Sequence, residues 1–117
     1  MNDLEKLSLM VKDFCEERNW DQFHDPKELS IGMSTEANEL LEIFRFKTKD
    51  QMNEMMKDPK IRKEVSGELA DVFYFLLRFS QMNNFDLEKC LMDKMERNKE
   101  RYTVEESKGN NKKYSEL

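Results

Sequence analysis

Chain breakers are scarce in this sequence, with three glycines and two prolines among 117 residues. That scarcity, in a chain rich in Glu, Lys, Leu and Met, reads as helix throughout. The two cysteines, Cys15 and Cys90, have neither a CxxC partner nor a nearby histidine. They read as two buried thiols in a reducing cytosol, and a disulfide is not expected. No apolar run approaches the length that spans a bilayer, so no membrane segment is expected. The opening "MNDLEKLSLM" carries acids and no long apolar core, which argues against a signal peptide. There is no basic surplus either. The formal net charge is −5, which excludes a protein that wraps a nucleic-acid polymer.

What is present is periodicity. Leu4, Leu7, Val11 and Phe14 recur at helical spacing and predict a first amphipathic helix over about residues 2–19. A second helix is expected from near Ser30 to about Arg45, and a third from Lys60 to about Gln81. The polar stretch between them, "KTKDQMNEMMKDP", allows one or two helical turns. Asp86 is a suitable N-cap for a fourth helix, Leu87 to about Arg101. From Tyr102 the sequence turns polar. The expectation is an all-α, four-main-helix bundle over 1–101 with a short extra helical segment between helices two and three. A polar tail over 102–117 would be ordered only if a partner or ligand holds it. With 38% hydrophobic residues, the composition leans towards an oligomer or a cofactor-stabilised bundle.

Acidic pairs three residues apart are common, six in all, about what 25 acids among 117 residues produce by chance. Their placement is more informative. In the third helix Val65, Leu69, Val72, Phe75, Leu76 and Phe79 form one stripe at about 100° per residue. Glu68 falls inside that stripe and Asp71 on its edge. In the second helix Met33, Ala37, Leu40, Ile43 and Phe44 form the stripe, with Glu36 inside it and Glu39 on its edge. The two helices place their acids alike, so packing by these faces would bring four carboxylates together. Such a cluster has three remedies: pairing with Lys or Arg, partial protonation, or divalent cations. Oxygen-only donors suit hard ions such as Mg²⁺ or Mn²⁺. Di-iron chemistry is not expected, because its helical Glu-x-x-His motifs are missing and the only histidine, His24, lies in a connection.

"EANE" (Glu36 to Glu39) followed by "ELAD" (Glu68 to Asp71) resembles the ExxE…ExxD signature of the all-α, MazG-like nucleoside triphosphate pyrophosphohydrolases. "RNWDQFHDPKEL", "ELLEIFRFK", "KMERNKERY" and "KKYSEL" resemble, in order, segments of the dCTP pyrophosphatase branch. The resemblance implies hydrolysis between the α- and β-phosphates of a nucleoside triphosphate, to monophosphate and pyrophosphate. By that resemblance Glu36, Glu39, Glu68 and Asp71 are metal ligands, with Mg²⁺ as cofactor and Mn²⁺ as substitute. Some relatives have a further Glu where this chain has Thr35, which leaves Glu36 or Glu39 to activate the water.

Lys94, Asn98 and Arg101 share one face of the fourth helix. The resemblance assigns Lys94 and Asn98 to phosphate or sugar, with Arg101 beside them and Lys112, Lys113 and Tyr114 closing from the tail. It assigns the base to His24 and to the aromatic at position 46, here Phe46 in place of Trp, with Trp20 nearby. Phe75 stands where that branch has Tyr. These departures remove hydrogen-bond donors and weigh against a strict cytosine preference. The resemblance still implies dCTP or a modified cytosine nucleotide as the substrate of a pool-sanitising enzyme, with other bases as alternatives. A non-catalytic nucleotide-binding or helical interaction module is the competing class. The resemblance further implies a cytoplasmic homodimer or homotetramer with no nucleic-acid or membrane partner.

Overall fold

A computed structural model describes residues 1–116; Leu117, the last residue of the expected tail, lies outside the described residues. Six α-helices and two 3₁₀ turns make up the regular structure, and the described residues contain no strand. The chain divides into one unit over Met1–Asn84 and a second that begins at Phe85.

The first unit holds α1 (Asp3–Glu17), a 3₁₀ turn (Asp21–Phe23), α2 (Pro26–Phe44), α3 (Lys49–Met55) and α4 (Pro59–Met82). Each helix starts on a side-chain cap. Asn2 and Glu5 close a capping box on α1, and Thr48 and Gln51 close another on α3. Asp25 and Asp58 cap α2 and α4, and the chain's two prolines occupy the first positions of those two helices. Proline is well placed there, because its missing N–H would have no intrahelical acceptor. That arrangement corrects the expected start of the second helix from Ser30 back to Pro26: Asp25 and Pro26 are a start signal, and the first turn needs no apolar residue.

Three helices of this unit are followed by residues in the left-handed region: Asn19 (φ 57°), Phe46 (φ 64°) and Asn84 (φ 61°). Asparagine tolerates that conformation and commonly ends helices in it. Phe46 has no such tolerance, and its ring is 88% exposed. Its guanidinium neighbour, Arg45, lies 4.7 Å above the ring centroid.

α4 packs against both α2 and α1. Against α2, the Phe75 ring lies so close to Gly32 that a Cβ there would sit 2.4 Å from two ring carbons. Against α1, the Cys15 thiol and the Tyr74 hydroxyl are 3.1 Å apart, and Gln81 Nε2 donates to the Ser8 carbonyl at 2.7 Å. Among the described residues, Cys15, Leu29, Val65 and Leu77 are the buried apolar side chains. Two residues of the expected α4 stripe are not buried. Leu69 and Leu76 join Phe73 in an exposed row, because α2 covers the side of α4 that carries Phe75 and α1 the side that carries Tyr74. The thiols also divide: Cys15 is buried, but Cys90 is exposed, since α5 buries no residue fully.

The second unit contains α5 (Leu87–Arg101), α6 (Val104–Ser107) and a 3₁₀ turn (Tyr114–Glu116). Asp86 caps α5 as its sequence position implied. The segment expected as a bare polar tail has structure of its own. Thr103 caps α6, and the Tyr114 ring packs edge-on to Tyr102, with centroids 6.0 Å apart, while Arg101 lies 4.4 Å above it. No helix among the described residues is long and apolar enough to cross a membrane.

Candidate active site

The acids converge where α2 meets α4. One carboxylate oxygen from each of Glu36, Glu39 and Glu68 lies within 4.8 Å of the other two. Glu36 and Glu68 are half-buried and Glu39 is exposed. Asp71 is outside this group of three, but its charge reaches both Glu36 and Glu68. Helical spacing explains the arrangement: one acid of each pair turns into the helix–helix contact and the other flanks it. Gly32 and Phe75 sit one turn from the motif acids and set how closely the two helices approach.

The electrostatics are those of like charges gathered at a helix contact. The Oε2 atoms of Glu36 and Glu68 are buried and have no hydrogen-bond partner. Among the described residues no Lys or Arg forms an ion pair with Glu36, Glu39, Glu68 or Asp71. Burial first, then hydrogen bonding with Glu68 and Glu39 and the charges of Glu39 and Asp71, push Glu36 from 4.5 up to about 7. Glu68 is also raised. The hydrogen bond with Glu36 pulls Glu68 down, and burial together with Glu39 and Asp71 outweighs that pull. Of the three remedies for such a cluster, pairing with basic side chains is not used, which leaves shared protons or bound cations. Two orphaned buried oxygens and a third carboxylate within reach fit a hard divalent ion.

Of the four residues expected at the base, Trp20 and His24 meet just before α2. The Trp20 ring meets the His24 ring edge-on at 6.1 Å, and Phe14 packs on Trp20 at 5.5 Å. His24 Nδ1 accepts a 2.8 Å hydrogen bond from Arg78 Nε. Burial and then the Arg78 charge hold His24 below the ordinary histidine range, with Asp21 opposing them. Phe75 is half-buried between Gly32 and Tyr74, whereas Phe46 stands exposed just past the end of α2. In the second unit Lys94 is exposed and Asn98 half-buried on α5. Arg101 and Tyr114 are in contact there, and Lys112 and Lys113 are exposed.

Arg78 was not singled out by the sequence pattern, yet its side chain is 1% exposed. It forms an ion pair with Asp21 and donates to Gln81 Oε1 at 2.8 Å. The signal was a lone charge in "FLLRFS", which needs a partner wherever that run is buried.

Residues 31–117 match the MazG-like family. The chain is 33% identical over 114 residues to dCTP pyrophosphatase 1 of Rattus norvegicus, covering 97% of this chain and 67% of that protein. It is 32% identical to dCTP pyrophosphatase 1 of Homo sapiens over the same shares. Among solved structures, a pyrophosphatase from Archaeoglobus fulgidus superposes with a TM-score of 0.82 at 32% identity, covering 88% of this chain and 94% of that one.

Proposed function

The chain belongs to the MazG-like family, and we propose that it hydrolyses a (deoxy)nucleoside triphosphate between the α- and β-phosphates. Water adds across that phosphoanhydride, and monophosphate and pyrophosphate leave. The observation that carries this reading is the meeting of Glu36, Glu39 and Glu68 without a cationic side chain. A substrate with about four negative charges could approach these acids only with cations between them. The donor set fits Mg²⁺, with Mn²⁺ as substitute; Glu36, Glu39, Glu68 and Asp71 would hold it, and it would supply neutralising charge and polarise the phosphoryl oxygens.

The chain's own groups do the rest. Glu36 or Glu39 orients the attacking water and takes its proton. Lys94, Asn98, Arg101, Lys112, Lys113 and Tyr114 hold phosphates and sugar. Trp20, His24, Phe46 and Phe75 receive the base, with dCTP or a modified cytosine deoxynucleotide favoured because two relatives are named for dCTP. The exposed aromatic strain at Phe46 supports this, since backbone strain in such a position is usually kept for a ligand. The exposed row of Leu69, Phe73 and Leu76 supports a homodimer or homotetramer. The role is sanitation of the cytoplasmic nucleotide pool.

The test is incubation with each of the eight common NTPs and dNTPs, with Mg²⁺ and with EDTA, and separation of every product by ion exchange. Monophosphate plus pyrophosphate only with the metal is the expected result. Diphosphate plus inorganic phosphate refutes the cleavage position. Nucleotide binding without turnover would favour the non-catalytic module.

A further inference from the structure

A chain of fixed hydrogen-bond polarity runs through the first unit and ends on the only histidine. It starts at the Ser8 backbone carbonyl, which can only accept. Gln81 Nε2 donates to that carbonyl at 2.7 Å and to the Ser8 hydroxyl oxygen at 2.9 Å. This sets the amide's orientation, so Gln81 Oε1 must face Arg78, whose Nη1 donates to it at 2.8 Å. The Arg78 guanidinium forms its ion pair with Asp21 through Nη2. Its Nε remains, and it donates to His24 Nδ1 at 2.8 Å. Arginine has no lone pair to offer and does not lose its proton in proteins. The nitrogen facing it must therefore be the unprotonated one.

We propose that Arg78 is a positioning residue that holds His24 neutral with its hydrogen on Nε2, so that the ring presents a donor to a hydrogen-bond acceptor of the substrate. Protonating Nδ1 would set two N–H groups head to head beside a guanidinium that is 99% shielded from water, with side-chain exposure of 1%. Among the described residues no group hydrogen-bonds His24 Nε2, so that N–H is left for a ligand. Burial and the Arg78 charge act in the same direction, and the Asp21 charge opposes them. The substrate half of this inference rests on the reading of His24 as a base contact. It names the chemistry: a carbonyl oxygen or an unprotonated ring nitrogen, both of which a pyrimidine such as cytosine offers.

Because His24 is the sole histidine, one long-range ¹H–¹⁵N spectrum of the labelled full chain reports its state without assignment. The expected result for the metal-free, ligand-free wild type is the neutral Nε2–H tautomer at about pH 7, persisting below the ordinary histidine midpoint near 6.5. Arg78→Lys keeps the charge but loses the planar donor fork, and should give mixed tautomers and an upward shift of the midpoint. Asp21→Asn, which leaves the Arg78–His24 bond in place, should keep the tautomer. In turnover of dCTP with Mg²⁺, Arg78→Lys should raise KM roughly five- to tenfold, the worth of one hydrogen bond, with kcat nearly unchanged. An Nδ1–H or charged ring in the wild type at about pH 7 overturns the proposal whatever the activity. A lost tautomer with an unchanged KM overturns the role towards substrate. The Nε2–H tautomer with no turnover of any nucleotide would reject the pyrophosphohydrolase reading, and the substrate half with it, while establishing the hold of Arg78 on His24.

Discussion

Replacing Glu36 with Gln should make the metal-free protein more stable, and only above a definite pH. In the wild type Glu36 is raised from 4.5 to about 7 by burial and by its acidic neighbours. A carboxyl raised on folding contributes stability that is fully present below its unfolded value and is lost as pH climbs through the folded one. The loss therefore falls between about pH 4.5 and pH 7 and is complete by about pH 8. A rise of that size corresponds to about 3 kcal/mol at 1.36 kcal/mol per unit, and solvent reaching the half-open cluster cuts it to roughly 1–2 kcal/mol. Glutamine keeps the shape, adds a donor towards Glu39 or Glu68, and carries no charge. In EDTA, Glu36→Gln should melt roughly 4–8 °C above wild type at about pH 8 and within a degree or two of it at about pH 5. Saturating Mg²⁺ should reverse the order, because only the wild type retains the full ligand set. The assay is thermal denaturation followed by circular dichroism at one fixed protein concentration, since self-association also moves the midpoint. If the variant melts no higher than wild type at pH 8, the cluster is not under electrostatic strain and has no need of a cation.

Three other outcomes are expected. Phe46→Gly should stabilise the chain by about 1 kcal/mol in urea titration, because glycine takes the left-handed conformation without penalty, while turnover of the nucleotide falls as the exposed ring is lost. Gly32→Ala should cost roughly 1–3 kcal/mol, since its Cβ overlaps the Phe75 ring; Phe75→Leu in the same chain should recover part of this, read as a positive coupling in a double-mutant cycle. Mg²⁺ at one hundred times its Kd should stabilise the wild type by about 2.7 kcal/mol, and Glu68→Gln should abolish that increment in a thermal shift measurement.

The helices were legible because their signals are local. Asp86, and the apolar periodicity of α1, α2 and α4, need no tertiary partner to be read. The acids were legible for a related reason: a carboxylate inside an apolar stripe stands out on any helical wheel, and the stripes of α2 and α4 do pack together. What escaped depends on which helix covers which side of α4. Leu69 and Leu76 share the stripe of Val72 yet stay exposed, because α1 and α2 leave their row open. Arg78 was invisible for the converse reason. Its partners lie at position 81 and at positions 21 and 24, more than fifty residues away, and no periodicity links a helix to a distant 3₁₀ turn. Left-handed Phe46 escaped too, since glycine and, less often, asparagine advertise such a helix end.

The contact of Gly32 with Phe75 has a consequence for how this lineage can change. The two residues act as the spacer between the helices that carry the acids, and position 75 is also one we propose receives the base. A mutation that reshapes the base pocket at Phe75 therefore alters the gap between α2 and α4, and with it the distances among Glu36, Glu39 and Glu68. Substrate preference and catalytic competence cannot drift independently at this point. Exchanges at position 75 should be found paired with exchanges at position 32, their volumes changing in opposite directions, and a sequence that breaks that pairing should mark a branch in which the acids no longer work together.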